Sequence, residues 1–189
     1  GYTTRHTGLI YSKGLDPHGL NVLWCCADSG HTLPRSYGST AVMMNGAAVS
    51  LSAKKHTLTG SSTCHDEIIE FSIAGNKVAG FRNMMEEMHL GQDKPTVIYQ
   101  DNEAAIMIAM NRGSLSAQSR HIDRKVLTCR NKIEDGQIIP KYLETAKMIA
   151  DIGTKAFCDK QFAYLRDMLT GYSLVKAHHP SYKLPAYIV

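Results

Sequence analysis

Cysteine is scarce and badly spaced for cross-linking. Cys25, Cys26, Cys64, Cys129 and Cys158 make an odd count, two of them are adjacent, and no CxxC pair exists. That pattern argues against a disulfide framework or a zinc ribbon and for reduced thiols inside a cell. Cys64-His65 lacks a matching second pair, so it reads as a thiol and an imidazole at a helix start. No apolar run approaches the ~20 residues of a membrane span. A secretory signal, an internal repeat and a low-complexity tract are also missing. The chain starts abruptly at Gly1-Tyr2-Thr3-Thr4 and reads as a piece of a longer protein. Strong charge of either sign is absent too. Lys+Arg number 21 and Asp+Glu 17, leaving +4, which permits a polyanionic partner without demanding one. What remains is 43% hydrophobic and 20% charged, a globular composition over 189 residues with enough chain for one substantial core.

Patterning supplies the elements. Val22-Leu23-Trp24-Cys25-Cys26 is a short apolar run ending at Asp28, Ser29 and Gly30, which predicts a buried strand and a turn. Thr40 to Met44 and Ala47 to Ser52 flank Asn45-Gly46. That dipeptide predicts a hairpin, because a type I′ turn needs positive φ at both central residues. Ser61-Ser62-Thr63 offers a hydroxyl cap to a long helix, and Ile68, Phe71, Gly75, Val78, Met85 and Met88 recur along it at helical spacing. Gly75 and Gly80 mark a bend or a close approach.

Pro95 opens a second buried strand, Thr96 to Gln100, and Asn102 caps a short helix to about Asn111, stopped at Gly113. Ile122, Val126, Cys129 and Ile133 stripe a further helix that ends at Gly136. Ile138 to Leu143 is a strand, and Pro140 confines it to a sheet edge. A helical pattern from Thr145 or Lys147 contains Asp151. Phe162, Leu165, Met168 and Leu169 mark a last helix stopping at Gly171, and the tail from Tyr172 shows no pattern. The order implies an α/β (α+β) mixed sheet with helices packed on it. Its parts are an N-terminal connection over 1–19, one domain over 20–171 and a tail over 172–189.

Four acids hold unusual places. Asp28 ends the first strand, Glu67 lies in the early turns of the long helix, Asp101 ends the fourth strand, and Asp151 follows the fifth. Reacting groups in open α/β sheets gather at strand carboxyl ends. Asp28 and Asp101 meet there only if their strands are neighbours. Converging carboxylates need cations, and Mg²⁺ suits carboxylate plus phosphate. Each acid alone also reads as a turn residue or a helix-terminal charge.

Ordered segments narrow the choice. Ser61-Ser62-Thr63 closely followed by Glu67, then Ile98-Tyr99-Gln100-Asp101-Asn102-Glu103-Ala104-Ala105-Ile106, resembles the ribonuclease H region of Ty1/copia-type retrotransposon polyproteins. His121-Ile122-Asp123 is similar to that family's "KHID" segment, and Ala150-Asp151-Ile152-Gly153-Thr154-Lys155 to its "ADILTK" segment. Ser52-Ala53-Lys54-Lys55-His56 is similar to its "SSKKQ" stretch, and Leu165-Arg166-Asp167-Met168-Leu169 to its closing helix. Tyr11-Ser12-Lys13-Gly14 resembles the end of the upstream reverse-transcriptase connection. The matches run in order from about residue 11 to 171. Asp28-Ser29-Gly30-His31 and the entry to the long helix depart from the family's pattern.

The resemblance implies a ribonuclease H-like fold with strand order 3-2-1-4-5, which makes the strands of Asp28 and Asp101 neighbours. It implies Asp28, Glu67, Asp101 and Asp151 as catalytic acids and ligands of two Mg²⁺ ions, with Mn²⁺ as a substitute. Asp66 competes with Glu67, because adjacent helical residues point about 100° apart. The apolar stripe through Ile68 and Phe71 favours Glu67. Lys54, Lys55, Ser62, Thr63 and Asn102 are candidate phosphate contacts, since cations, hydroxyls and amides all bind backbone oxygens. Lys54-Lys55 also reads as a solvated loop. The implied function is metal-dependent cleavage of RNA in RNA–DNA hybrids during reverse transcription. The hybrid and the upstream reverse transcriptase region would be partners, no membrane would be involved, and the setting would be a cytoplasmic virus-like particle or the nucleus. A domesticated, inactive module binding nucleic acid or protein is the alternative. An integrase-like DNA cutter is a third reading, disfavoured by the ordered segments.

Overall fold

Neighbouring residues of one strand face two different layers. Cys25 and Ala27 point to one side of the sheet and Cys26 to the other, and each is fully buried. The computed structural model describes residues 8–32, 34–57, 60, 62–110 and 120–178, the side chains of 120–123 excepted. The expected helix stop at Asn111 to Gly113, the His121 side chain, Ser61 of the helix entry and the tail beyond His178 lie outside them.

The strands are β1 (Trp24–Gly30), β2 (Tyr37–Met44), β3 (Ala47–Lys55), β4 (Thr96–Gln100) and β5 (Ile138–Tyr142). They form one sheet in the order β3-β2-β1-β4-β5. The pairs β1–β2 and β2–β3 are antiparallel, whereas β1–β4 and β4–β5 are parallel. The expected mixed sheet is thus the observed one, with Pro140 on edge strand β5 opposite Ile98. Asn45 and Gly46 turn the β2–β3 hairpin with φ of 52° and 87°.

On one face lie α1 (Thr63–Glu87), α2 (Glu103–Met110) and α3 (Arg120–Glu134). Phe71, Ala74, Val78 and Met85 of α1 pack with Ile98, Ala109, Cys129 and Ile138. Helix α1 runs through Gly75 without a break. This glycine permits close packing, since a Cβ there would stand 3.2 Å from Ile138 Cδ1. The opposite face is covered more thinly by Met148, Ile149 and Ala150, which pack on Cys26, Ala41 and Met43.

Several boundaries differ from the sequence reading. Strand β1 continues two residues past Asp28, because Ser29 and Gly30 pair with Gly38 and Tyr37. Asp28 therefore sits inside a strand. Strand β3 runs to Lys55, so Lys54 and Lys55 are strand residues and not a loop. The segment carrying Asp151 is a pair of short 3₁₀ turns, Thr145–Lys147 and Ile149–Gly153, where a longer helix was expected. After α4 (Asp159–Leu169), residues past Gly171 form the short helix α5 (Tyr172–His178). Its start is anchored by tertiary contact: a Cβ at Gly46 would lie 2.7 Å from Leu174, and Ile10 N–H donates to Thr170 O at 2.8 Å. Tyr11 Oη–H also donates to Ala48 O at 2.8 Å, tying the N-terminal segment to the hairpin.

Candidate active site

The parallel pair β1–β4 decides the site. It sets Cys26 beside Tyr99, and beyond that register Asp28, still paired to β2, and Asp101, just past β4, lie at the same end of the sheet. Helix α1 starts over this end. Ser62 caps it, its Oγ accepting from His65 N–H at 3.3 Å, and one turn later Glu67 reaches the sheet. Carboxylate oxygens of Asp28, Glu67 and Asp101 all lie within 4.8 Å of one another. Asp28 is 1% exposed and Glu67 3%, while Asp101 is half-buried. The three open onto a cleft also lined by Gly30, His31, Thr63, Asn102 and Lys155.

Each acid is held by the chain. Gln100 Nε2 donates to Glu67 Oε2 at 2.8 Å and to the Glu67 carbonyl at 3.0 Å, and Ser29 N–H reaches Oε1 at 3.3 Å. Thr145 Oγ1 donates to Asp101 Oδ2 at 2.9 Å. Thr154 Oγ1 donates to Asp28 Oδ2. Lys155 Nζ binds Asp151 Oδ2 at 2.8 Å and Asp28 Oδ1 at 3.5 Å. Asp151 is 2% exposed and stands outside the three-carboxylate group, linked to Asp28 through this lysine. Its Oδ1 is buried without a hydrogen-bond partner among the described residues.

Electrostatics follow from this crowding. Burial, then the Asp28 carboxylate, pushes Glu67 up to about 8. Burial, then the Asp28 charge, also raises Asp151, against the opposing hydrogen bond from Lys155. Burial works to lower Lys155, but its bond to Asp151 and the charge of Asp28 leave it raised. Such a site strains toward neutrality, and a divalent cation would relieve it. The hard oxygen donors, the buried partnerless Asp151 Oδ1 and the raised Glu67 all fit Mg²⁺ or Mn²⁺.

Asp66 does something else. Fully buried, it accepts from Ser36 Oγ at 2.5 Å and from Gly60 N–H at 2.8 Å, and it pairs with His31 Nδ1 at 2.5 Å. Burial works to raise it, and the bonds from Ser36, His31 and Gly60 outweigh that and lower it. It clamps the loops on either side of the site and does not reach the three acids. Among the candidate phosphate contacts, Thr63 and Asn102 line the cleft, and Asn102 Oδ1 accepts from Ala105 N–H at 3.0 Å as the α2 cap. Ser62 is occupied as the α1 cap. Lys54 and Lys55 line a separate depression beside His56 and Glu70, and Lys55 Nζ sits 5.1 Å over the Tyr37 ring.

Sequence reasoning gave no role to Thr154, Lys155, Gln100 or His31. The first two lie in the segment that resembles "ADILTK", where the acid is the residue whose chemistry stands out. Gln100 sits beside Asp101 and, as a polar residue ending an apolar strand, carried a usable signal.

Comparison with known proteins agrees with this architecture. No family model matches the chain. Among solved structures, ribonuclease H1 from the archaeon Halobacterium salinarum NRC-1 superposes with a TM-score of 0.52 at 11% identity, over 68% of this chain and 89% of its own. LC11-RNase H1 in complex with an RNA/DNA hybrid gives 0.52 at 11%, over 68% and 91%. The N-terminal ribonuclease H domain of a Mycobacterium tuberculosis protein gives 0.53 at 8%, over 76% and 94%. The fold is therefore that of ribonuclease H. In sequence, the Saccharomyces cerevisiae transposon Ty1-LR3 and Ty1-PR1 Gag-Pol polyproteins are each 25% identical over 169 residues, 87% of this chain. The chain spans about 10% of the length of these relatives. The chain thus has a ribonuclease H-like fold and is similar in sequence to part of Ty1 Gag-Pol polyproteins.

Proposed function

We propose that this chain is a metal-dependent endonuclease that cuts the RNA strand of RNA–DNA hybrids during retrotransposon reverse transcription. The observation that carries the reading is the convergence of Asp28, Glu67 and Asp101 within 4.8 Å at the open end of a ribonuclease H-like sheet. Asp28 and Asp101 would hold the cations, with Glu67 and Asp151 as further ligands. Bound Mg²⁺ or Mn²⁺ would supply a water of lowered pKa and charge compensation at the leaving 3′ oxygen.

The chain's own groups do the positioning. Gln100 orients Glu67, Thr154 orients Asp28 and Thr145 orients Asp101. Lys155 compensates Asp28 and Asp151 before the cleft is loaded. Thr63 and Asn102 on the cleft wall meet backbone phosphates, with Ser62 beside them, while Lys54 and Lys55 on β3 contact phosphates outside the cleft. Residues 20–171 form the nuclease unit, Tyr11 and Ser12 before it hydrogen-bond to the hairpin, and an upstream reverse transcriptase region delivers the hybrid inside the cell. Among the described residues no helix is long and apolar enough to cross a membrane.

A labelled RNA–DNA hybrid with Mg²⁺ or Mn²⁺ tests this. The wild type should cut the RNA strand and spare a DNA duplex of the same sequence, and Asp101→Asn should lose cleavage by at least 100-fold, the order seen when a charge-stabilising group is removed. Hybrid binding without metal-dependent cleavage would instead make the chain a domesticated binding module.

A further inference from the structure

His31 lies on the wall of the cleft that holds Asp28, Glu67 and Asp101, and it takes no part in the acid cluster. Its side chain is 36% exposed, while its partner Asp66 is 0% exposed. Nδ1 meets Asp66 Oδ2 at 2.5 Å. Asp66 in turn accepts from Ser36 Oγ and Gly60 N–H, which hold the carboxylate against the ring. A carboxylate accepts only; it therefore keeps the proton of a neutral imidazole on Nδ1 and leaves a lone pair on Nε2. With Nδ1 turned inward, Nε2 is the nitrogen on the open side. Among the described residues Nε2 has no partner.

In its neutral form the ring offers the cleft a fixed acceptor, which selects for backbone donors, and these are rare. Phosphate oxygens and sugar ring oxygens accept and cannot donate. The 2′-hydroxyl of ribose donates, and deoxyribose has no equivalent. We propose that His31, held in one tautomer by Asp66, is a specificity-determining residue that accepts a hydrogen bond from a 2′-hydroxyl of the RNA strand. The pair favours RNA in two ways. It gains a bond from ribose, and it leaves a desolvated acceptor unpaired against deoxyribose. This inference rests on the proposed hybrid-cutting function and names the group that discriminates.

The test compares affinities by fluorescence anisotropy for an RNA–DNA hybrid, the same sequence as DNA duplex, and a hybrid whose RNA strand carries 2′-fluoro sugars, which keep an acceptor and lose the donor. The wild type should prefer the hybrid. His31→Ala should weaken hybrid binding about five- to tenfold, the scale of one hydrogen bond. The same variant should leave the DNA duplex and the 2′-fluoro hybrid within about twofold of wild type. A merely structural role would weaken all three together. Asp66→Asn can donate from its amide to Nδ1 and move the proton to Nε2, so it should lose the same preference with His31 still present. Hybrid preference that survives His31→Ala, or equal loss on every substrate, overturns the inference while leaving the nuclease reading intact. A wild type that neither cuts nor prefers the hybrid overturns both.

Discussion

Asp66 and Glu67 are adjacent on α1 and carry different duties, because one helical step turns them about 100° apart. Glu67 meets Gln100 and the Asp28 side, whereas Asp66 meets His31, Ser36 and Gly60. Glu67→Gln should therefore abolish cleavage, while Asp66→Asn should lower melting temperature and retain metal-dependent cutting. Retained activity in Glu67→Gln with loss in Asp66→Asn would reverse the assignment. Titration adds a second readout. Unfolded Glu67 releases its proton near 4.5 and folded Glu67 at about 8, so the folded state binds that proton more tightly between those values. Its contribution to stability is full below pH 4.5 and is lost as pH rises toward about 8. Without metal, Glu67→Gln should stabilise the protein relative to wild type, by a margin that grows across that window. A pH-independent margin in thermal melts would show that Glu67 is not the strained carboxyl.

At the scale of elements, the least regular segment has the sharpest requirement. The 3₁₀ turn Ile149–Gly153 presents Asp151 and then Thr154 and Lys155 to β1. Gly153 makes this approach possible, since a Cβ there would stand 2.9 Å from Ala53 Cβ and collide with Ser39. Gly153→Ala should cost about 1–3 kcal/mol in denaturant unfolding, the usual price of overpacking. It should also weaken metal binding by tilting Asp151 away from Asp28. Unchanged stability together with unchanged metal affinity would mean that the turn shifts freely and does not position the acid. The sequence hid this element because Thr145, Lys147 and Asp151 suggested helical periodicity, whereas a short turn gains its stability from burying Met148, Ile149 and Ala150 on the sheet.

Over the whole molecule, buried carboxylates at one end of the sheet oppose folding, and cation binding should offset them. Millimolar Mg²⁺ or Mn²⁺ should raise the melting temperature through binding linkage, and a hundredfold excess over the dissociation constant is worth about 2.7 kcal/mol. Asp101→Asn should shrink that shift, because it removes one donor from the cluster. A melting temperature indifferent to Mg²⁺, in wild type and variant alike, would count against a formed site.

The sequence by itself pointed to the five strands in order, the hairpin at Asn45-Gly46, the edge position of Pro140 and, through ordered resemblance, to four candidate acids. These are local or patterned properties: a dipeptide that tolerates positive φ, an imino acid without a donor, short apolar runs bounded by turn residues. Only the tertiary structure decided which acids touch. Asp28, Glu67 and Asp101 are separated by 39 and 34 residues and meet because β1 and β4 are parallel neighbours beneath the start of α1. It also decided that Lys155 would stand between Asp28 and Asp151, that Lys54 and Lys55 would lie apart from the cleft, and that His31 would be locked against Asp66. Such contacts depend on chain segments distant in sequence being packed at ångström separations, and no spacing within a single segment encodes them.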